Sequence, residues 1–251
     1  MDYKLSPTEM IDINIKSVDT LSDKEALQSM LNSHAESIRV ISSNLTNLKN
    51  IVSKVYYHLS KNEDSRIIYA GAGTSGRIGV QDGVELYPTF GWPRFRVAFL
   101  IAGGSKALLE PVENAEDNIK AVLEGLGANP VSKKDVIIAL AASGNTPYTC
   151  KVVEDSDNIG ALTIGISNNP NCRLLDNSKL KICLNTGPEI VAGSTRLKAG
   201  TAQKICLNMI STLLMSKFGR IKEGQMSHMV VTNNKLRQRQ AKIDKILNKK
   251  D

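Results

Sequence analysis

From Ser22 to about Lys61, apolar residues return at the three- and four-residue spacing of an amphipathic helix: Leu27, Met30 and Leu31, then Ile38, Ile41, Leu45 and Leu48. Neither Gly nor Pro interrupts the stretch, and Ser22 followed three residues later by Glu25 forms a capping-box pattern. The pattern predicts two helices, the second over about residues 35–59. Beyond Lys61 the texture changes. Short apolar runs appear ("RIIYAGAG", "RVAFLIAGG", "DVIIALAASG", "ALTIGISNN" and "LKICLNTG"), each ending in small or polar residues. Helix-compatible stretches such as "KALLEPVENAEDNIKAVLEGL" and "TPYTCKVVEDSDN" lie between them. Near-continuous apolar strands alternating with helices predict an α/β fold, a three-layer sandwich whose mainly parallel sheet is buried on both faces. A further helix places Ala202, Ile205, Met209, Leu213 and Leu214 on one face, and a terminal helix from about Asn233 carries Leu236, Ile243, Ile246 and Leu247 as its apolar stripe.

Two of the strand ends echo each other. "RIIYAGAGTSGR" and "VIIALAASGNTP" both close in a small-residue turn carrying Ser-Gly, at Ser75-Gly76 and Ser143-Gly144, and both lead into a helix. Such turns fall at the carboxyl edge of a parallel sheet, where open α/β folds bind ligands. The first contains Gly71-x-Gly73-x-x-Gly76, which resembles a dinucleotide fingerprint. A dinucleotide site needs an acidic residue at the end of the next strand, roughly 20 residues on. That strand ends here in Ala102-Gly103-Gly104. The Gly-Lys-Ser/Thr of a P-loop is also missing. The turns instead carry hydroxyls: Thr74, Ser75, Ser143, Thr146 and, in a third cluster, Ser194 and Thr195. Hydroxyls and backbone amides at helix starts suit a compact phosphomonoester. Arg196 and Lys198, ahead of the next helix, could add positive charge, or stand as ordinary surface residues of its first turn.

Bulk properties narrow the field further. With 41% hydrophobic and 23% charged residues the 251-residue chain has the composition of a globular protein. No apolar run approaches the roughly 20 residues of a membrane helix, and the opening "MDYKLSPTEMIDINIK" lacks an apolar signal core. The four cysteines, without C-x-x-C spacing, read as buried thiols of a cytoplasmic protein. The net charge of +7 is concentrated at the end, where seven basic residues from Lys235 onward face only Asp244 and Asp251, a net of +5. A solvated helix face accounts for this without nucleic acid.

Taken in order, "GAGTSGRIG", "LIAGG", "ENAED", "AASGNTPY" and "GPEIVAGSTRLKAGTAQK" closely resemble the N-acetylmuramic acid 6-phosphate etherase family of the sugar-isomerase (SIS) fold group. The likeness runs from about Arg66 to Ser216. It implies three parts: a helical segment over residues 1–64, a SIS phosphosugar-binding domain over 65–220 and a basic helical tail over 221–251. It also implies a lyase that releases D-lactate from the sugar phosphate with two glutamates and neither metal nor cofactor. On the matching motifs these are Glu85 in "GVELYPTFG" as acid and Glu116 in "ENAED" as base. Val84 and Leu86 beside it predict partial burial for Glu85. The implied phosphate and sugar contacts are Gly73, Thr74, Ser75, Gly76, Ser143, Gly144, Asn145, Thr146, Glu189, Ser194, Thr195 and Lys198. The resemblance further implies a homodimer with sites completed across the interface. The chain departs from the family pattern at Asn145, usually Arg, and after Thr8-Glu9 in the N-terminal signature. A non-catalytic phosphosugar regulator is the alternative, since the fold group includes the glucokinase regulatory protein. Two retained acids argue against a pure binder. His34, His58 and His228 lack metal-ligand spacing and read as structural or surface residues.

Overall fold

The computed structural model describes residues 6–128, 130–232 and 234–247. Two helices come first, α1 (Asp23–Ser43) and α2 (Leu45–Ser60). The Ser22 N–H donates to Glu25 Oε2 at 3.0 Å, so the capping box forms. The boundary between the helices differs from the expected one near residue 35. The break falls at Asn44, whose side-chain amide donates to Val40 O (2.9 Å) and Cys183 O (3.3 Å). A side chain that takes a carbonyl of the last turn competes with helix continuation. Apolar spacing is blind to this break, because Ile41, Leu45 and Leu48 stay in helical register across it.

Five strands follow: β1 (Ile67–Gly71), β2 (Val97–Ile101), β3 (Val136–Ala141), β4 (Leu162–Ser167) and β5 (Leu180–Cys183). They form one parallel sheet in the order β2-β1-β3-β4-β5. The helices between and after them are α3 (Gly73–Phe90), α4 (Lys120–Ala128), α5 (Pro147–Ile159), the single-turn α6 (Arg173–Asp176), α7 (Lys198–Lys217) and α8 (Asn234–Leu247). Every residue of β1 and β3 is buried, because helices cover both faces. The two-residue period divides the strands between two cores. Tyr69, Ile138 and Ile164 pack with Val55, Leu86, Trp92, Leu207 and Leu214 from α2, α3, α7 and the segment after α3. Ile68 and Ile137 pack on the other side with Val122, Val152 and Val153 of α4 and α5.

Three expectations need correction. The stretch from Lys106 to Leu126 is not one helix but two 3-10 turns, Gly104–Leu108 and Ala115–Asp117, followed by α4. Pro111 and the left-handed Asn114 (φ 56°) interrupt it. On α7, Ala202 and Leu214 are buried as expected, but Met209 and Leu213 face outward and line a groove of about 650 Å³ with Leu45, Leu48 and Val52. On α1, the stripe Leu27, Leu31 and Ile38 is 65%, 66% and 57% exposed. The core side of α1 is instead Ala26, Ser37, Val40 and Ile41.

In α8, Lys235, Arg237, Arg239, Lys242 and Lys245 are exposed and Ile243 is buried. The remaining charges of the basic tail, Lys249, Lys250 and Asp251, lie outside the described residues, as does Asn233. Among the described residues no helix is long and apolar enough to cross a membrane.

At the amino edge of the sheet, Asp135 accepts from the Arg66 guanidinium (2.8 Å), the Arg66 amide (3.0 Å) and the Ser132 amide (2.9 Å). Burial alone would raise its pKa, but these donors hold the carboxyl below its usual value. A depressed folded-state pKa contributes stability above the unfolded value of about 3.9, and that contribution is lost as pH falls through the folded value. Asp135→Asn is expected to lower unfolding stability by about 3 kcal/mol at neutral pH. In urea titrations the deficit should shrink below about pH 4.

Candidate functional site

β1 and β3 are neighbours at the middle of the sheet, but the chain leaves β1 towards β2 and leaves β3 towards β4. The crevice at such a reversal is where open α/β sheets hold ligands. Both Ser-Gly turns meet there. In the first, Gly73 starts α3 with φ +52°, a conformation that disfavours any side chain. A Cβ on Gly71 would lie 3.0 Å from both Gly76 N and Leu140 O, so the first turn of α3 rests directly on the strand backbones. Ala72, at the N-cap, offers no side-chain acceptor. The first-turn amides of α3 are therefore left for a ligand or solvent. Among the described residues the Thr74 and Ser75 hydroxyls have no hydrogen-bond partner, and Ser75 is 8% exposed.

The second turn is built on Gly144, at φ +71°. A Cβ there would collide with Cys172 Sγ and stand 2.6 Å from Ser167 Oγ. Asn145 N donates to Ser143 Oγ at 3.1 Å, which folds the turn over itself. Thr146 precedes Pro147 at the start of α5, and its hydroxyl makes no capping bond. Beneath the turn, burial pushes the Cys150 thiol up to about 11. Its neutral sulfur donates weakly to Gly144 O at 3.6 Å.

The third cluster, ahead of α7, completes the crevice. A Cβ on Gly200 would lie 3.6 Å from Thr74 Cγ2, so α7 begins against the first turn. Ser194 and Thr195 stand in the approach loop, with backbone bonds Ser194 N to Val191 O and Thr195 N to Gly193 O. Glu189, 2% exposed, occupies the start of α7 itself. Its two oxygens accept from Lys198 N (3.2 Å) and Ala199 N (2.9 Å). Burial raises its pKa, and those amides and the Lys198 charge offset only part of the rise. A carboxylate at a helix start is favoured by the dipole. Glu189 thus positions α7, with both oxygens engaged by backbone. Lys198 is 7% exposed beside it.

Sequence reasoning passed over the buttresses of this crevice. Asn169, two residues past β4, accepts from Thr8 N (3.2 Å) and donates to Thr8 Oγ1 (2.8 Å) and Ala142 O (3.0 Å). Gly193 N donates to Thr8 O at 3.1 Å. The N-terminal turn Pro7–Glu9 thereby bridges the second and third clusters. From α1, Ser37 Oγ donates to Lys198 O (2.9 Å), and His34 Nδ1 pairs with Thr201 Oγ1 (3.2 Å). Such long-range polar pairs leave no periodic mark on a sequence.

The two glutamates stand apart. Glu116 lies on the turn Ala115–Asp117, which packs against α5, the helix leaving the second turn. It is exposed. Glu85 is also exposed, against the expectation of partial burial. Ser75, Gly79, Asp82, Gly83, Leu86 and Phe90 take the inner face of α3, which turns Val84 and Glu85 outward. Glu85 is twelve residues from Gly73 along α3, roughly 18 Å at 1.5 Å per residue.

Comparison with known proteins agrees with this fold. Residues 120–213 match the model of the SIS domain, and residues 50–155 that of the glucokinase regulatory protein N-terminal SIS domain. N-acetylmuramic acid 6-phosphate etherase of Deinococcus radiodurans is 39% identical over 94% of this chain and 77% of its own. That of Mycoplasma mycoides is 38% identical over 96% and 79%. The chain belongs to the N-acetylmuramic acid 6-phosphate etherase family. Solved structures agree on the fold: a phosphoheptose isomerase from Francisella tularensis aligns at TM-score 0.59 and 12% identity, covering 78% of this chain and 100% of that one. Vibrio vulnificus NanR complexed with ManNAc-6P aligns at 0.56 and 14%, covering 89% and 71%. In this member of the etherase family, Gly144→Ala is expected to cost about 2 kcal/mol or more, from a left-handed backbone and an overpacked contact. Its urea midpoint should fall clearly below that of Ala142→Gly, which keeps the Gly144 conformation.

Proposed function

We propose that the protein is an N-acetylmuramic acid 6-phosphate etherase, a carbon–oxygen lyase that cleaves the D-lactyl ether to give N-acetylglucosamine 6-phosphate and D-lactate. Family membership over nearly the whole chain carries the reading. The crevice supports it chemically. First-turn amides of α3 and α5 and the hydroxyls of Thr74, Ser75, Ser143 and Thr146 suit the 6-phosphate, with Gly73, Gly76, Gly144 and Asn145 shaping the turns. Ser194, Thr195 and Lys198 close the third side, and Glu189 fixes the start of the helix that carries Lys198.

With the phosphate held, the open-chain sugar presents C2 and C3 to the carboxyls. Glu116 as base takes the C2 proton, which is acidified by the C1 aldehyde. The electron pair then expels the C3 ether oxygen, which Glu85 protonates as D-lactate departs. Water adds at C3 of the unsaturated intermediate and C2 is reprotonated, giving the product sugar. One ionised and one protonated carboxyl require environments that push their pKa values apart.

A single chain does not supply those environments, since both acids are exposed and Glu85 lies far along α3 from its own crevice. We therefore read the working form as a homodimer in which Glu85 of one copy serves the crevice of the other. The exposed stripe Leu27, Leu31 and Ile38 on α1 supports a partner. Burial at the interface would raise the pKa of the acid. The four free cysteines fit a cytoplasmic setting.

Incubation with N-acetylmuramic acid 6-phosphate should release D-lactate, and Glu85→Gln or Glu116→Gln should slow it about a hundred- to ten-thousand-fold. Wild type no faster than Glu85→Gln would refute the activity. Co-expressing Glu85→Gln with a Ser143→Ala/Thr146→Ala chain should give mixed dimers more active than either parent. No recovery would refute the shared site. The match of residues 50–155 to the glucokinase regulatory protein domain favours a second reading, a phosphosugar sensor. Binding of hexose 6-phosphates without lactate release would favour it.

A further inference from the structure

We infer that Arg173 is a phosphate-binding residue of this crevice, its guanidinium meeting the sugar phosphate at the Ser143–Thr146 turn. The inference rests on the reading above that this turn holds a phosphomonoester. Such a group carries about −1.5 to −2 charge at neutral pH. Amides and hydroxyls solvate that charge but do not neutralise it, so the arrangement calls for a cation. The other cations at the carboxyl edge are placed differently. Arg77 donates to Ala107 O (2.9 Å) and Glu110 O (3.3 Å). Lys198 is 7% exposed, and its charge acts on the buried Glu189 carboxylate. Arg196 is exposed on the loop before α7, with none of the backbone bonds that tie Arg173 to the second turn.

Arg173 differs in being fixed at its root and free at its head. Its backbone N–H donates to Asn145 Oδ1 at 3.1 Å, and the next amide, Leu174 N, donates to Gly144 O at 2.9 Å. The two central residues of the turn are thus stapled to the start of α6. The side chain is exposed, and its guanidinium makes no hydrogen bond or ion pair among the described residues. Its positive field reaches the Cys150 thiol, which lies against Gly144 O. The neighbouring acids are engaged elsewhere, Asp176 with Lys181 (3.9 Å) and Glu154 with Lys151 (3.3 Å). A planar fork of donors rooted at a hydroxyl-lined turn is well matched to phosphate oxygens. Asn145 holds the backbone of Arg173 and so acts as its positioning residue.

Arg173→Ala keeps the backbone amide and therefore the bond to Asn145, so an unchanged thermal midpoint is expected. Calorimetric titration with N-acetylglucosamine 6-phosphate and with inorganic phosphate reads the inference without turnover. Arg173→Ala should weaken both about tenfold to a hundredfold, the worth of a charge-assisted hydrogen bond. Arg173→Lys should lose less. In the Arg173→Ala background, Asn145→Arg should restore part of the affinity by returning a cation to the same turn. In steady-state assays KM should rise with kcat nearly unchanged, the mark of a binding contact. Equal affinities in wild type and Arg173→Ala would overturn the inference, as would a wild type that binds neither ligand. A wild type that binds both but releases no lactate would remove the proposed reaction, and the Arg173 comparison would still decide this point.

Discussion

The start of α3 rests on bare strand backbone, and the rest of the site depends on that contact. With a Cβ on Gly71 only 3.0 Å from Gly76 N and Leu140 O, no side chain fits between helix and sheet. The closeness brings the first-turn amides of α3 down to the level of the strand ends. There they meet the turn after β3, which is held equally tightly by Gly144 against Cys172 and Ser167. Two helix starts converge on one point because β1 and β3 are adjacent and their connections diverge. An anion at that point would meet the first-turn amides of α3 and α5 and the Thr74 and Ser75 hydroxyls, which have no partner among the described residues.

The third helix start is used differently. At α7 the amides are taken by Glu189, a buried acid of the protein itself. Three helix N-termini open on one crevice, two uncapped and one filled, and the filled one is tied to α1, to Asn168 and to the loop after β5. This arrangement separates binding from support. Buried polar pairs such as Asn168 with Gln203 (2.9 Å) hold the frame beneath the crevice.

Much of this was legible in the sequence. All five strands announced themselves as apolar runs; burial on both faces leaves β1 and β3 without a charged position, while the edge strand β5 admits an exposed Lys181. The Ser-Gly echo located the two turns, since a turn packed this tightly against backbone and side chains has few residues to choose from. The missing acid after β2 pointed away from a dinucleotide. What stayed hidden depends on contacts far apart in sequence. The end of α1 at Asn44 is set partly by Cys183 O, and the N-terminal Thr8 is held by Asn169. Glu85 was expected to be partly buried on the strength of its apolar neighbours, but the three- and four-residue spacing of the α3 core turns it outward. The same misreading affects Leu27, Leu31 and Ile38, whose helical spacing marks a face without saying what covers it.

The proposed chemistry makes a sharp statement about one bond. Elimination followed by hydration breaks the ether on the sugar side, so D-lactate keeps the original ether oxygen and the product sugar takes its C3 oxygen from water. Turnover of N-acetylmuramic acid 6-phosphate in ¹⁸O-enriched water, with both products analysed by mass spectrometry, tests this directly. The account predicts one solvent oxygen in N-acetylglucosamine 6-phosphate, after exchange at C1 is subtracted, and none in the lactate. Solvent oxygen at the lactate C2 hydroxyl, with none at sugar C3, would contradict it.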